Sequence, residues 1–221
     1  APTIEILDAL KAQHAEDNEG KILLKHDLIK RIEIAAAMIE KHPQLSKCFT
    51  GGAPEVSILW TDEATGVPMK TRLDYLKPRA ICELKTFSNP LGKPIDKAIT
   101  SAIANYRYHI QAAVNLIGVE YAKGFLRAGF DYGEYNGLCH ALLESDDMNY
   151  LFIFQKTGPA PLARGKEWPT GMLTHRMAVQ QVEDMQRVFK DAREQFGDGP
   201  WLDIAPIESL SDEDLPPWIG D

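Results

Sequence analysis

Cysteine is scarce. Cys48, Cys82 and Cys139 are the three in 221 residues, odd in number and far apart. That spacing suits neither a disulfide framework nor a zinc site, and three thiols fall short of four-thiolate ligation of an iron–sulfur cluster. It fits reduced thiols in a cytoplasmic protein. No stretch approaches about 18 consecutive apolar residues, so a membrane-spanning helix is not expected. The N-terminus has no basic segment followed by an apolar run, so no secretory leader is visible. Neither a G-x-x-x-x-G-K-S/T loop nor a nucleotide-binding glycine fingerprint occurs, which argues against a nucleotide cofactor. Basic residues are in the minority: 24 Lys and Arg against 32 Asp and Glu give a net charge of −8. That rules out a uniformly basic nucleic-acid coat. What remains is an ordinary globular composition on a chain long enough for one sizeable core. A single domain over residues 1–200 is expected, with 1–20 as an extension and 201–221 as an acidic arm.

The charge is unevenly placed. Residues 66–107 carry eight basic side chains against three acidic ones, whereas residues 183–221 carry three against eleven. A positive centre inside a negative chain suits local binding of an anionic polymer, with acidic surface elsewhere limiting non-specific attachment.

Hydrophobic periodicity divides the chain into elements. Leu28, Ile32, Ala35 and Ile39 form one apolar stripe of a helix over about 25–41, which His42-Pro43 ends. The period then changes to two. Residues 55–60, 68–75 and 80–86 read as three strands of an antiparallel meander, the last two joined through Lys77-Pro78-Arg79. A long helix is expected over 96–117, its apolar stripe including Ile99, Ile103, Tyr106, Ile110 and Val114. Beside it runs a polar stripe of Thr100, Arg107, Gln111 and Asn115. Residues 150–155 read as a buried strand, 159–171 as a loop and 174–196 as a final amphipathic helix. Trp201 and Trp218 in the tail are expected to anchor it on its own domain or on a neighbouring subunit. The pattern is that of an α/β or α+β layer protein.

Chemistry concentrates between residues 66 and 86. Glu83 and Lys85 are two apart on a strand and therefore share a face, and a short turn can bring Asp74 of the preceding strand beside Glu83. Two converging carboxylates need a proton or a cation between them. A hard ion, Mg²⁺ or Mn²⁺, satisfies that with oxygen ligands, and the carbonyl of Leu84 can add another. Lys85 then stands where it can stabilise charge developing on a phosphate. Arg72, Lys77 and Arg107 supply the surrounding positive charge for DNA. Tyr108, off the apolar stripe, is a candidate for stacking on a base, whereas Tyr106 is expected in the core.

These residues carry a resemblance. E-V-S-I-L-W at 55–60, T-G-V-P-M-K-T-R-L-D-Y-L at 65–76, I-C-E-L-K-T-F at 81–87, Y-R-Y-H-I-Q-A-A-V at 106–114 and the terminal L-P-P-W resemble, in order and spacing, PD-(D/E)XK nucleases. Within that superfamily the similarity is to the phage and prophage exonuclease VIII (RecE-type) branch, related to lambda exonuclease. It covers roughly residue 21 to the end. The resemblance implies an α/β fold, a central mixed β-sheet flanked by helices, with Asp74 and Glu83 as metal ligands and Lys85 as the catalytic lysine. Gln111 matches the glutamine of the helix motif bordering such sites, and Glu55 an acidic position near them. It also implies Mg²⁺-dependent, ATP-independent 5′→3′ digestion of double-stranded DNA ends, a homo-oligomeric ring, and a single-strand annealing recombinase as partner.

The chain departs from that branch at one point. RecE-type enzymes carry a histidine on an upstream helix that completes the metal site. Here His14 and His26 lack the surrounding pattern and read as surface residues. Either another residue replaces the ligand, or the chain begins after that helix. Two alternatives stand beside the exonuclease: a nuclease-inactive DNA-end or recombinase-binding module of the same fold, and an endonuclease.

Overall fold

The meander forms where the sequence alternates. In the computed structural model, which describes residues 4–22, 24–130, 135–158, 160–201 and 207–216, β1 (Ala53–Thr61), β2 (Pro68–Lys77) and β3 (Ala80–Phe87) pair antiparallel in chain order. A tight turn through Pro78-Arg79 joins β2 to β3, the Lys77↔Ala80 pair closing it. At the β1–β2 end, Asp62 Oδ1 accepts from the Thr65 N–H at 2.8 Å and Gly66 takes a φ of 69°, a left-handed conformation natural to glycine.

β4 (Asn149–Lys156) then pairs parallel to β3, from Ala80↔Asn149 to Phe87↔Lys156, and β5 (Leu162–Glu167) pairs antiparallel to β4. The sheet order is β1-β2-β3-β4-β5, a mixed sheet. Parallel neighbours need a long crossover, and here it carries helices across one face. They are α3 (Ile95–Asn105), α4 (Tyr108–Arg127) and α5 (Asn136–Leu143), with α6 (Leu173–Phe196) packed on α4. Ile58, Trp60, Leu73, Ile81, Tyr150, Phe152 and Phe154 project from the sheet into this main core against Ile99, Ala112 and Val119. Each such large side chain taken out of water contributes about 1.5–3 kcal/mol before the entropy of ordering is subtracted. On the opposite face, Cys82 and Ile153 meet Leu45, Cys48 and Ala163 in a smaller cluster. Above it lie α2 (His26–Glu40) and a one-turn 3₁₀ helix (Leu45–Lys47), preceded by α1 (Ile4–Asp17). The fold is α/β, a mixed sheet between helices, as the sequence pattern implies.

Several elements differ from the sequence reading. The helix expected over 96–117 is two helices. It breaks at Tyr106 and Arg107, and Arg107 adopts φ 52°, ψ 39°. Tyr106 is consequently 68% exposed, not a core residue. The segment 159–171 contains β5 rather than a continuous loop. None of α2's residues is buried: Leu28 and Ile32 of its apolar stripe stay exposed, while Ile39 packs against the smaller cluster. Trp201 folds back on α6, its ring 5.2 Å from that of Phe189 and its Nε1 donating to the Gly197 carbonyl at 3.1 Å. Trp218 lies outside the described residues.

Close approach of α4 to the sheet depends on Gly118, where a Cβ would fall 2.9 Å from Thr71 Cγ2 and 3.0 Å from Trp60 Cζ3. Gly118→Val is therefore expected to destabilise the protein by about 1–3 kcal/mol through overpacking. Thermal melting should show a lower midpoint, by roughly 2–4 °C per kcal/mol in a domain of this size.

Candidate active site

Alternation along β3 places Ile81, Glu83, Lys85 and Phe87 on the face that α3 and α4 cover. A glutamate therefore points toward the main core, and Glu83 is 2% exposed. One oxygen is well held: Oε1 accepts from Lys85 Nζ at 2.8 Å and from Gln111 Nε2 at 2.6 Å. The other, Oε2, is buried with no hydrogen-bond partner among the described residues. Burial pushes the Glu83 carboxyl above its ordinary range. The Lys85 ammonium draws it back, and the charge of Asp74 pushes it up again.

Asp74 reaches this point because regular pairing stops there. β2 and β3 pair from Lys77↔Ala80 to Tyr75↔Cys82 and then part. The Leu84 N–H donates instead to Asp74 Oδ2 at 2.8 Å. The break extends across β2. Leu73 and Leu76, three residues apart, both enter the main core, which uninterrupted alternation would forbid. On β1, Glu55 lies across from Asp74 between the Pro54↔Tyr75 and Val56↔Leu73 pairs, and it takes a φ of 54°. A non-glycine residue in that region marks a local distortion, as bulges beside functional sites do.

From the α4 side, Gln111 sits one turn into the helix that starts after the Arg107 break. Tyr108, in the first turn, lies with its ring centroid 4.9 Å from Lys85 Nζ, a cation–π distance. A second buried network braces the same helix. Asn115 accepts from the Thr71 hydroxyl and donates to the Tyr150 hydroxyl at 2.9 Å, tying α4 to β2 and β4. Lys70, Arg72, Arg107, Gln111 and Asn115 line an open groove of about 480 Å³ alongside.

The structure thus brings Asp74, Glu83, Lys85 and Gln111 together, with Leu84 between the two charged residues of β3 and Tyr108 over the lysine. Arg72 and Arg107 border the groove. Glu55 does not bond Glu83 or Lys85; it pairs with Arg72 at 2.6 Å on the exposed rim. Lys77 is engaged elsewhere. Its ammonium donates to the carbonyls of Lys47 and Thr50 at 2.6 and 2.7 Å, so its charge is committed to the loop before β1. His14 and His26 are exposed on α1 and α2. The sequence reading missed the Thr71–Asn115–Tyr150 network. Asn115 was legible in the polar stripe, but its partner Tyr150 depends on the β3–β4 register, which has no local signature.

The donor set suits a hard cation. An orphaned, buried carboxylate oxygen calls for a proton or a positive ion, and Asp74 stands beside it. Among the described residues no group of three or more His, Cys, Asp and Glu side chains gathers. The remaining ligands would be carbonyl oxygen, water and substrate phosphate, the mixture that Mg²⁺ accepts.

Comparison with known proteins bears on the family and the fold. The family described as a PDDEXK-like domain of unknown function matches residues 5–126, and the chain belongs to it. A crystal structure described as a putative exonuclease from Eubacterium rectale superposes with a TM-score of 0.51 at 20% identity, over 84% of this chain and 62% of that one. At that identity the likeness speaks for the fold alone, and the chain spans less than two thirds of the length of that structure. No curated protein matches.

The groups facing Glu83 are Asp74 on β2, Lys85 on β3, Gln111 on α4 and Tyr150 on β4. Because the folded carboxyl titrates above the unfolded value of about 4.3, folding stability falls as pH rises from that value through the folded one. The penalty persists above it. Glu83→Gln removes the penalty. Melting in EDTA near neutral pH should then show a higher midpoint than that of the wild type. The gain should vanish in acid below the unfolded value.

Proposed function

We propose that this member of the PDDEXK-like family is a divalent-metal-dependent deoxyribonuclease, and that it acts as a RecE-type exonuclease on linear duplex ends. The observation that carries the reading is Glu83, fixed through one oxygen by Lys85 and Gln111 and bare on the other beside Asp74. Burying a carboxylate this way costs stability, and a site that uses the bare oxygen gives the cost a purpose. A cation held by Asp74 and Glu83, with the Leu84 carbonyl, would supply positive charge at the scissile phosphate and a more acidic water.

The chain's own residues do the remainder. Glu83 and the Tyr108 ring hold the Lys85 ammonium in place, so its proton and charge are directed at developing negative charge without reorganisation. Gln111 locks the Glu83 carboxylate in one rotamer. Lys70, Arg72 and Arg107 offer cations for the phosphate backbone along the groove, a register-setting rather than sequence-reading contact. Mg²⁺ as the working ion, 5′→3′ direction, a ring and an annealing partner rest on the resemblance of the motif series to the RecE branch.

The purified protein, assayed with Mg²⁺ on linear and closed circular duplex, should degrade the linear form and spare the circle. Lys85→Ala should lose at least about 10²-fold in rate, the scale of removing one preorganised electrostatic group. Equal rates for the two proteins would refute the role of the lysine, and cutting of the circle would make the enzyme an endonuclease. Calorimetric Mn²⁺ titration separates the inactive module. Uptake abolished by Asp74→Ala supports the enzyme, whereas DNA binding with no metal uptake supports the module.

A further inference from the structure

The break between α3 and α4 creates a surface that neither helix would have had. In a continuous helix, residues two apart do not face each other. At this junction Arg107 turns into the left-handed region, and the rings of Tyr106 and Tyr108 stack, 5.6 Å between centroids and 26° between planes. Aromatic contacts continue inward, now tilted: Tyr108 lies 6.1 Å from Phe152 at 33° and 6.2 Å from Phe154 at 42°, both fully buried. An aromatic series therefore runs from the core past Lys85 to the surface, and it ends on Tyr106, 68% exposed.

We propose that Tyr106 is a stacking platform for the base of an unpaired nucleotide, which positions that strand beside Asp74, Glu83 and Lys85. This inference rests on reading the site as one that handles DNA. A base would add the next member to a series that otherwise stops in water, on a ring already stacked on Tyr108. The base must have left the duplex stack, because inside a duplex both of its faces are covered. Arg107, between the two tyrosines in sequence, borders the groove with Lys70 and Arg72. A cation for the backbone thus adjoins a ring for the base, the pairing that single-strand sites use. Such stacking tolerates any base. Tyr106 touches no reacting atom and is a positioning residue.

The test is a binding measurement, independent of cleavage. Fluorescence anisotropy in Ca²⁺ compares a short duplex bearing a single-strand extension, on either strand, with the same duplex bearing abasic sugars in the extension. The wild-type protein should bind the base-bearing form roughly tenfold more tightly. Tyr106→Ala should lose that difference, Tyr106→Phe should restore it, and melting of all three proteins should coincide. Equal affinity of the wild type for the two probes, failure to bind either, or a change of oligomeric state in Tyr106→Ala would each overturn the proposal. Base-dependent binding by a protein that cuts nothing would leave the platform standing and remove the nuclease.

Discussion

A carboxylate directed into an apolar core is the constraint around which this fold is arranged. β3 is lined by β2 on one side and β4 on the other, and its core face carries Ile81 and Phe87 at the ends with Glu83 between them. Water cannot solvate that group, so the protein must. Lys85 and Gln111 do so for one oxygen, from the same strand and from α4, and nothing among the described residues does so for the other. Removing either helper would leave a buried charge less compensated, which is costlier than never having placed it there. Half-compensation of this kind is tolerable in a folded protein when the missing partner arrives from solution.

The two most distorted backbone positions near this group serve the same end. Glu55 and Arg107 both lie at positive φ without being glycine. Each such residue costs on the order of 1–3 kcal/mol and persists only if its surroundings enforce it. Glu55 marks where β1 and β2 lose alternation, which releases Asp74 from the ladder to take the Leu84 N–H. Arg107 marks where α4 restarts, which sets the direction of Tyr108 and Gln111. Uninterrupted alternation from Leu73 would have turned Asp74 to the face opposite the main core, and an unbroken helix would have carried Gln111 on a different azimuth. Irregularity and site are therefore one feature viewed from two elements.

The sequence disclosed what depends on local pattern. β1, β2 and β3 were legible because their apolar residues alternate and Pro78-Arg79 punctuates them, and Asp74, Glu83 and Lys85 were legible as types at a spacing. β5 was not, since only Ala163 of its six residues is buried and Pro and Gly crowd the segment. The α3–α4 break was hidden for the opposite reason: no Gly or Pro marks Tyr106 or Arg107, and the isoleucines at 99, 103, 110 and 117 keep a helical rhythm across it. The Asn115–Tyr150 bond joins residues 35 apart through a parallel register. No local window of sequence contains that information. Lys77 shows the limit of counting charge, because a positive residue in a basic segment proved to be bound to two main-chain carbonyls.

On the nuclease reading, charge alone would hold DNA weakly here. The groove offers Lys70, Arg72 and Arg107, and Arg72 already shares its charge with Glu55. Nearby on α6, Met185 borders the groove while Glu183 and Asp184 pair with Arg187, so the helix adds little field of either sign. Neutralising two or three phosphates releases as many counterions and gives a shallow salt dependence, far from the grip of a basic coat. Affinity would then draw on more than surface charge: a cation held by Asp74 and Glu83, which would add positive charge for a phosphate, and the aromatic face of Tyr106 for a base. The two adjoin, because Tyr106 stacks on the Tyr108 ring that lies over Lys85, the partner of Glu83. A surface otherwise negative would then bind nucleic acid mainly where it can also act on it.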